Sequence, residues 1–291
     1  MRVRRPYLTP PWQRNAITNP TVSDSLMAVV RRLAVSPSVA AVALVGSQSS
    51  GMAEPDSDFD LFVYTDGDLG NLTDLRGRVA EEHADPAAWR SLYERSFGDC
   101  DIWRLKNGGA WLDLMNWPTA WAEEQLQRVL VEHRASMGYT TAFWYSIRNA
   151  RPLYERDGWH ADLQRRANQP YPDALRRNIV EVNRLYLGEH PFSLRQQTAK
   201  ALARGDLVSA NHRVAAWLAS YVDILFAINR VLHPGEKRLL EHIARECRIV
   251  PNDLASDVTR LLALTGRADP SLLTVMDGLA DELDAILQRQ P

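Results

Sequence analysis

The chain has 291 residues, 45% of them apolar, with two cysteines and a formal net charge of −2. That size supports one large domain or two ordinary ones, with cores that need no disulfide staples. The near-neutral balance and pI near 6.4 exclude a globally basic nucleic-acid binder and leave only a local patch open, while the widely separated Cys100 and Cys247 fit no metal or redox spacing and point to a reducing cytoplasm.

Residues 1–20 carry Arg2, Arg4, Arg5 and Arg14 but no apolar run behind them, and Pro10, Pro11 and Pro20 interrupt them. This reads as a loosely held basic arm and not as a signal peptide. Thr21 to Leu33 places Leu26, Val29, Val30 and Leu33 at the spacing of an amphipathic helix. Val39 to Val45 is a short apolar run that stops at Gly46-Ser47, the pattern of a buried strand delivered into a tight turn. A polar crossing from Ser47 to Ser57, broken by Gly51 and Pro55, leads to a second strand over Asp58 to Tyr64. On such a strand Asp58 and Asp60 project from one face about 7 Å apart. Paired carboxylates suit Mg²⁺, which keeps waters and takes one or two protein carboxylates plus phosphate oxygens. The Gly46-Ser47 turn offers backbone N–H groups and a hydroxyl to the same phosphates. Each feature alone is also an ordinary way to end a strand or cap a turn, so the weight lies on their combination.

Gly67, Gly70, Asn71 and Thr73 make a turn before a helix bearing Leu75, Val79 and Ala80. After the Asp85-Pro86 break, Trp89, Leu92 and Tyr93 suggest a short helix over Ala87 to Phe97. Asp99 to Leu105 and Ala110 to Trp117 are two strand arms joined by Lys106-Asn-Gly-Gly109, a hairpin signal. Asp113 stands in the middle of the second arm, where a carboxylate is costly unless paired or metal-bound. Asp101 on the first arm is its rival, and the more apolar flanks rank Asp113 first. Pro118 then opens a helix over Ala120 to Glu132.

No strand pattern returns from Tyr139 onward. The expected organisation is α+β, with a mixed-sheet domain over 21–135 and an all-helical domain over 136–291. Tyr139 to Tyr145 is an aromatic stripe of the kind that packs cores, followed by Arg148, a group suited to neutralising phosphate charge. The Asp206 to Leu232 helix contains Asp223 and Arg230 seven residues apart, on one helical face. Two readings stand: a structural ion pair, or a cleft acid that recognises a cationic or polyhydroxylated acceptor. The same helix is too polar for a lipid-facing span, so no membrane role is expected. His233-Pro-Gly-Glu-Lys237-Arg238 closes it with a sharp turn and two cations, and a final helix runs from about Ser271 to Leu287.

Gly46-Ser47, ten intervening residues, then Asp58-Phe-Asp60 followed by Leu-Phe-Val, resembles the signature of nucleotidyltransferases with a polymerase-β-like catalytic domain. That group includes aminoglycoside and lincosamide nucleotidyltransferases, antitoxin-type transferases and RNA-tailing enzymes. The resemblance implies a polymerase-β-like fold, a third acid from a strand beside the Asp-x-Asp strand, and two Mg²⁺ ions held by Asp58, Asp60 and Asp113. It implies a nucleoside triphosphate, with ATP the expected donor, whose phosphates rest on Gly46 and Ser47. Asp113 serves as base, ligand or both. The segment from Ser220 through Arg238 is also similar to the helical C-terminal region of uncharacterised bacterial nucleotidyltransferase-like proteins, which makes Lys237 a triphosphate-contact candidate. The expected reaction moves a nucleoside monophosphate to the hydroxyl of a small acceptor held between the two domains. Nucleotidylation of a protein or RNA, with the basic arm as an auxiliary contact, and a non-catalytic nucleotide-binding regulator are the alternatives.

Overall fold

The computed structural model describes residues 20–51, 53–54, 57–67, 70–94, 98–106 and 109–289. The arginines of the expected arm, Pro55 in the polar crossing and Asn107-Gly108 of the hairpin turn lie outside the described residues. In chain order the elements are α1 (Pro20–Ala34), β1 (Val39–Val45), α2 (Gly46–Ser50), β2 (Phe59–Thr65), α3 (Gly70–His83) and β3 (Ala84–Glu94). Then come β4 (Gly98–Leu105), β5 (Trp111–Pro118), α4 (Thr119–Leu130), α5 (Ala142–Asn149), β6 (Arg151–Glu155) and α6 (Trp159–Ala167). The remainder is helical: α7 (Asp173–Leu187), α8 (Leu194–Ala203), α9 (Leu207–Ile228), α10 (Leu239–Glu246), α11 (Leu254–Thr265) and α12 (Leu272–Gln288).

Two compact units divide the chain. The first takes residues up to Leu126 together with Ser146–Gln169, and the second takes Gln127–Tyr145 and Pro170–Pro291. The boundary expected between residues 135 and 136 thus falls inside a segment that packs with the second unit.

The first unit is built on one mixed sheet of order β3-β4-β5-β2-β1-β6. Its one parallel pair is β2 with β5, and the other pairings are antiparallel. Strand alternation sends Phe59, Leu61, Val63, Leu112 and Leu114 to one face, where they form a core with Leu26, Val29, Val30 and Leu33 of α1 and Leu75, Val79 and Ala80 of α3. β1 is buried at every position, as a strand near the middle of a sheet covered on both faces should be.

Two expectations fail here, and both failures are edge strands. The helix expected over 87–97 is overturned for its described part: β3 continues to Glu94 and pairs with β4, Trp89 opposite Trp103. The expectation that no strand follows Tyr139 fails at β6, which pairs antiparallel with β1 and brings the chain back into the first unit. Pro86 and Pro152 hide these strands from a reading of local pattern, but an edge position tolerates proline because one row of N–H groups needs no ladder partner. Arg156 fixes the far end of β6 by donating to Ser36 O at 2.7 Å and to Pro37 O. Pro118, expected to open α4, ends β5 instead.

The second unit packs around α9, whose buried Trp217, Tyr221, Ile224, Leu225 and Ile228 meet residues from α7, α8, α11 and α12. Asp206 caps its N-terminus by accepting from Ser209 N at 3.0 Å. The Val214–Leu232 stretch does not span a bilayer, since among the described residues no helix is long and apolar enough to do so.

Within this unit Asp223 is 1% exposed. It accepts from Thr140 N at 3.2 Å, Thr140 Oγ1 at 2.6 Å and Asn183 Nδ2 at 3.3 Å, and so pins the 131–141 segment against α7 and α9. Burial pushes its carboxyl up to about 7 against the pull of those donors. The folded carboxyl therefore holds its proton more tightly than the unfolded one. Stability from this group is fullest below about pH 4 and is lost as pH rises toward about 7. Urea titrations across that range are expected to show Asp223→Asn gaining on the wild type as pH rises, by on the order of 4 kcal/mol at neutrality.

Candidate active site

The sheet face opposite the α1 and α3 core carries the acids. β2 and β5 run parallel with Asp60 and Asp113 as direct Cα partners, and on the other side Asp60 pairs with Val45 of β1. The same face continues with Phe62, Tyr64 and Trp117; Phe62 and Trp117 meet edge to face with centroids 5.8 Å apart. α6 covers its far end, where Trp159 and His160 pack on Tyr64 at 5.1 and 5.6 Å. Asp60 and Asp113 are each half-buried, neither sealed in a core nor fully exposed.

Gly46 closes on this pair from the end of β1. Its φ is +67°, and a methyl group built on it would lie 2.1 Å from Asp60 Oδ2 and 2.9 Å from Asp60 Cγ. Glycine is required here twice, for its left-handed backbone and for the approach of its Cα to a carboxylate. Ser47 follows within the single turn of α2, which Gly51 ends by donating its N–H to Ser47 O at φ 76°. The polar crossing thus begins as a helical turn that sets Gly46-Ser47 beside Asp60.

Asp58 was expected to share a strand face with Asp60. It lies one residue ahead of β2 and is exposed, so strand alternation does not govern its side chain. Among the described residues no three His, Cys, Asp or Glu side chains converge into a cation site. Asp60 and Asp113 alone match the hard-cation case, in which one or two carboxylates are completed by water and phosphate oxygens.

Asp101, the rival acid, sits on the opposite face. It is 2% exposed and accepts from Arg76 Nε of α3 at 2.5 Å. Cys100 was read only as a thiol, yet its side chain lies on the acid side of the sheet. Burial first, then the carboxylates of Asp113, Asp101 and Asp60, push it up to about 11, which keeps it protonated and unreactive. The register of β4 on β5 is what places it there, and no sequence spacing carries that register.

Arg148 is exposed at the end of α5 in the first unit, and Lys237 is exposed in the turn before α10 in the second. Asp223 and Arg230 do not pair. α9 ends at Ile228, Arg230 has φ 52°, and its guanidinium donates to Asp173 Oδ1 at 2.7 Å.

Residues 26–91, running from α1 into β3, match the family model of the nucleotidyltransferase domain, and the mixed sheet agrees with a polymerase-β-like arrangement. Asp113 lies beyond the matched segment. Among solved structures, a nucleotidyltransferase-like protein from Exiguobacterium sibiricum 255-15 is similar over 92% of this chain and 74% of its own, at 13% identity and a TM-score of 0.42. The CCA-adding enzyme of Thermotoga maritima complexed with tRNA_CCA is similar over 93% and 82%, at 13% identity and a TM-score of 0.29. Likenesses at such scores add no weight to the motif and the geometry. Comparison with curated proteins returns no match.

Proposed function

We propose that the chain transfers a nucleoside monophosphate from a nucleoside triphosphate, with ATP the expected donor, to a hydroxyl of a small acceptor, releasing pyrophosphate. The observation that carries this reading is the pairing of Asp60 with Asp113 on neighbouring parallel strands, with Gly46 against Asp60. Triphosphate oxygens and metal-binding carboxylates must share one small space for this chemistry, and these residues meet in one.

In this reading Gly46 and Ser47 present backbone N–H groups and a hydroxyl to the triphosphate, the anion-binding use of a turn at a strand end. Asp60 and Asp113 would hold Mg²⁺ with water and phosphate oxygens completing its shell, and the bound ion would supply compensating charge for the phosphoryl oxygens and the leaving pyrophosphate. Asp58, exposed one residue ahead of β2, is the third acid of the reading. Asp113 also stands where it can accept the acceptor's hydroxyl proton. Arg148, in the same unit as the acids, is the cation assigned to the triphosphate, and Asp223 and Arg230 are assigned no part in it: the first is sealed in a polar network and the second is paired with Asp173. The setting is a reducing cytoplasm, in which the buried Cys100 and Cys247 stay thiols.

Labelled nucleoside triphosphates with Mg²⁺ and pooled acceptors test the reading through pyrophosphate release. Release is expected with a pool of small hydroxylated molecules. Release only with RNA or protein pools would move the acceptor to a macromolecule, and triphosphate binding without turnover in every pool would make the chain a regulator.

A further inference from the structure

Resting on that reading, we infer that Gln48 is a positioning residue: its side-chain amide is the strut that holds the phosphate turn in register with the metal-binding acids. Gln48 is half-buried in α2, and its Nε2 donates to Ser57 O at 3.2 Å across nine residues of chain. Ser57 is the residue immediately before Asp58. Its carbonyl is itself held in place, because Ser57 N donates to Glu54 O at 3.0 Å and Glu54 N donates to Ser57 Oγ at 2.8 Å. The other end of the strut is equally fixed: Ser49 Oγ donates to Gly46 O at 3.0 Å, and Gly51 N–H closes the turn on Ser47 O.

Two small closed units result, one bearing Gly46 and Ser47 and the other leading into Asp58 and Asp60. The β1–β2 ladder already joins them at Val45 opposite Asp60, and Gly46 lies against Asp60 just past its end. The Gln48 bond adds an attachment beyond the ladder, tying the turn that carries Ser47 to the residue ahead of Asp58. In-line phosphoryl transfer depends on such alignment, since small misplacements of reacting groups cost large factors in rate.

A strut of this kind predicts a change in linkage between two ligands. If the phosphate turn and the acids are held in register, Mg²⁺ strengthens ATP binding and ATP strengthens Mg²⁺ binding by one common factor. Gln48→Met keeps the length of the side chain and removes the donor. Calorimetric titration of the full chain with ATP, with and without Mg²⁺, is expected to show that common factor falling about fivefold, the worth of one hydrogen bond of about 1 kcal/mol. ATP affinity without Mg²⁺ and the thermal midpoint are expected to stay near wild type. Gln48→Asn keeps the amide but falls one methylene short, and is expected to behave like Gln48→Met. An unchanged factor in both variants overturns the strut, as does an equal loss of ATP affinity with and without Mg²⁺ accompanied by a lowered midpoint, since that is a purely structural effect. A wild-type protein whose ATP binding ignores Mg²⁺ overturns the nucleotidyl-transfer reading itself, and the strut with it.

Discussion

Asp60→Asn is expected to lower nucleotidyl transfer by about 10³-fold or more while leaving the urea midpoint close to wild type. The amide keeps the volume and outline of the carboxylate, so it fits the space against Gly46 that leaves no room even for a methyl group. What it loses is the negative charge. A neutral side chain binds Mg²⁺ poorly, and the transferring phosphoryl group then meets less compensating charge. Asp113→Asn is expected to lose a comparable factor, because Asp113 is the direct strand partner of Asp60. Asp60→Glu sharpens the test by keeping the charge and adding a methylene beside Gly46, so its carboxylate must leave the native position. Pyrophosphate release measured beside a urea titration separates a chemical loss from a folding one. Wild-type turnover in Asp60→Asn would remove Asp60 from the mechanism.

Strand alternation made much of this arrangement legible before any coordinates. A glycine at the end of one apolar run, an acid at the start of the next and a lone acid inside a third converge once those strands share a sheet, and β1, β2 and β5 do. Alternation speaks only for residues on a strand, so Asp58, one residue short of β2, escaped it. The edge strands β3 and β6 were hidden because their pairing to β4 and β1 overrides what Pro86 and Pro152 say locally. Asp223 and Arg230 illustrate a different limit. Seven residues put two side chains on one face only while the helix lasts, and α9 stops two residues before Arg230. Gln48 gave no signal, since a side-chain bond to a backbone carbonyl nine residues away belongs to the tertiary fold and leaves no periodicity.

The second large effect is expected in stability and comes from the acid that does not face the site. Asp101→Asn is expected to cost about 3–5 kcal/mol, read as a fall in urea midpoint, because it removes the carboxylate charge that the buried Arg76 guanidinium donates to beneath the sheet. The two groups are 2% and 7% exposed and bonded at 2.5 Å, so water cannot replace the missing carboxylate. Against the 5–15 kcal/mol that holds a typical domain together, a loss of that size populates unfolded chains at ordinary temperature. The pair itself need not be favourable, since the cost of desolvating both charges offsets most of their attraction. The double variant Arg76→Met with Asp101→Leu is therefore expected to recover most or all of the wild-type midpoint. That variant also settles the rivalry between the two acids of the hairpin. With folding restored, it should bind ATP and Mg²⁺ and release pyrophosphate like the wild type, since Asp101 lies across the sheet from Asp60 and Asp113. A well-folded double variant without turnover would instead give Asp101 the role assigned to Asp113.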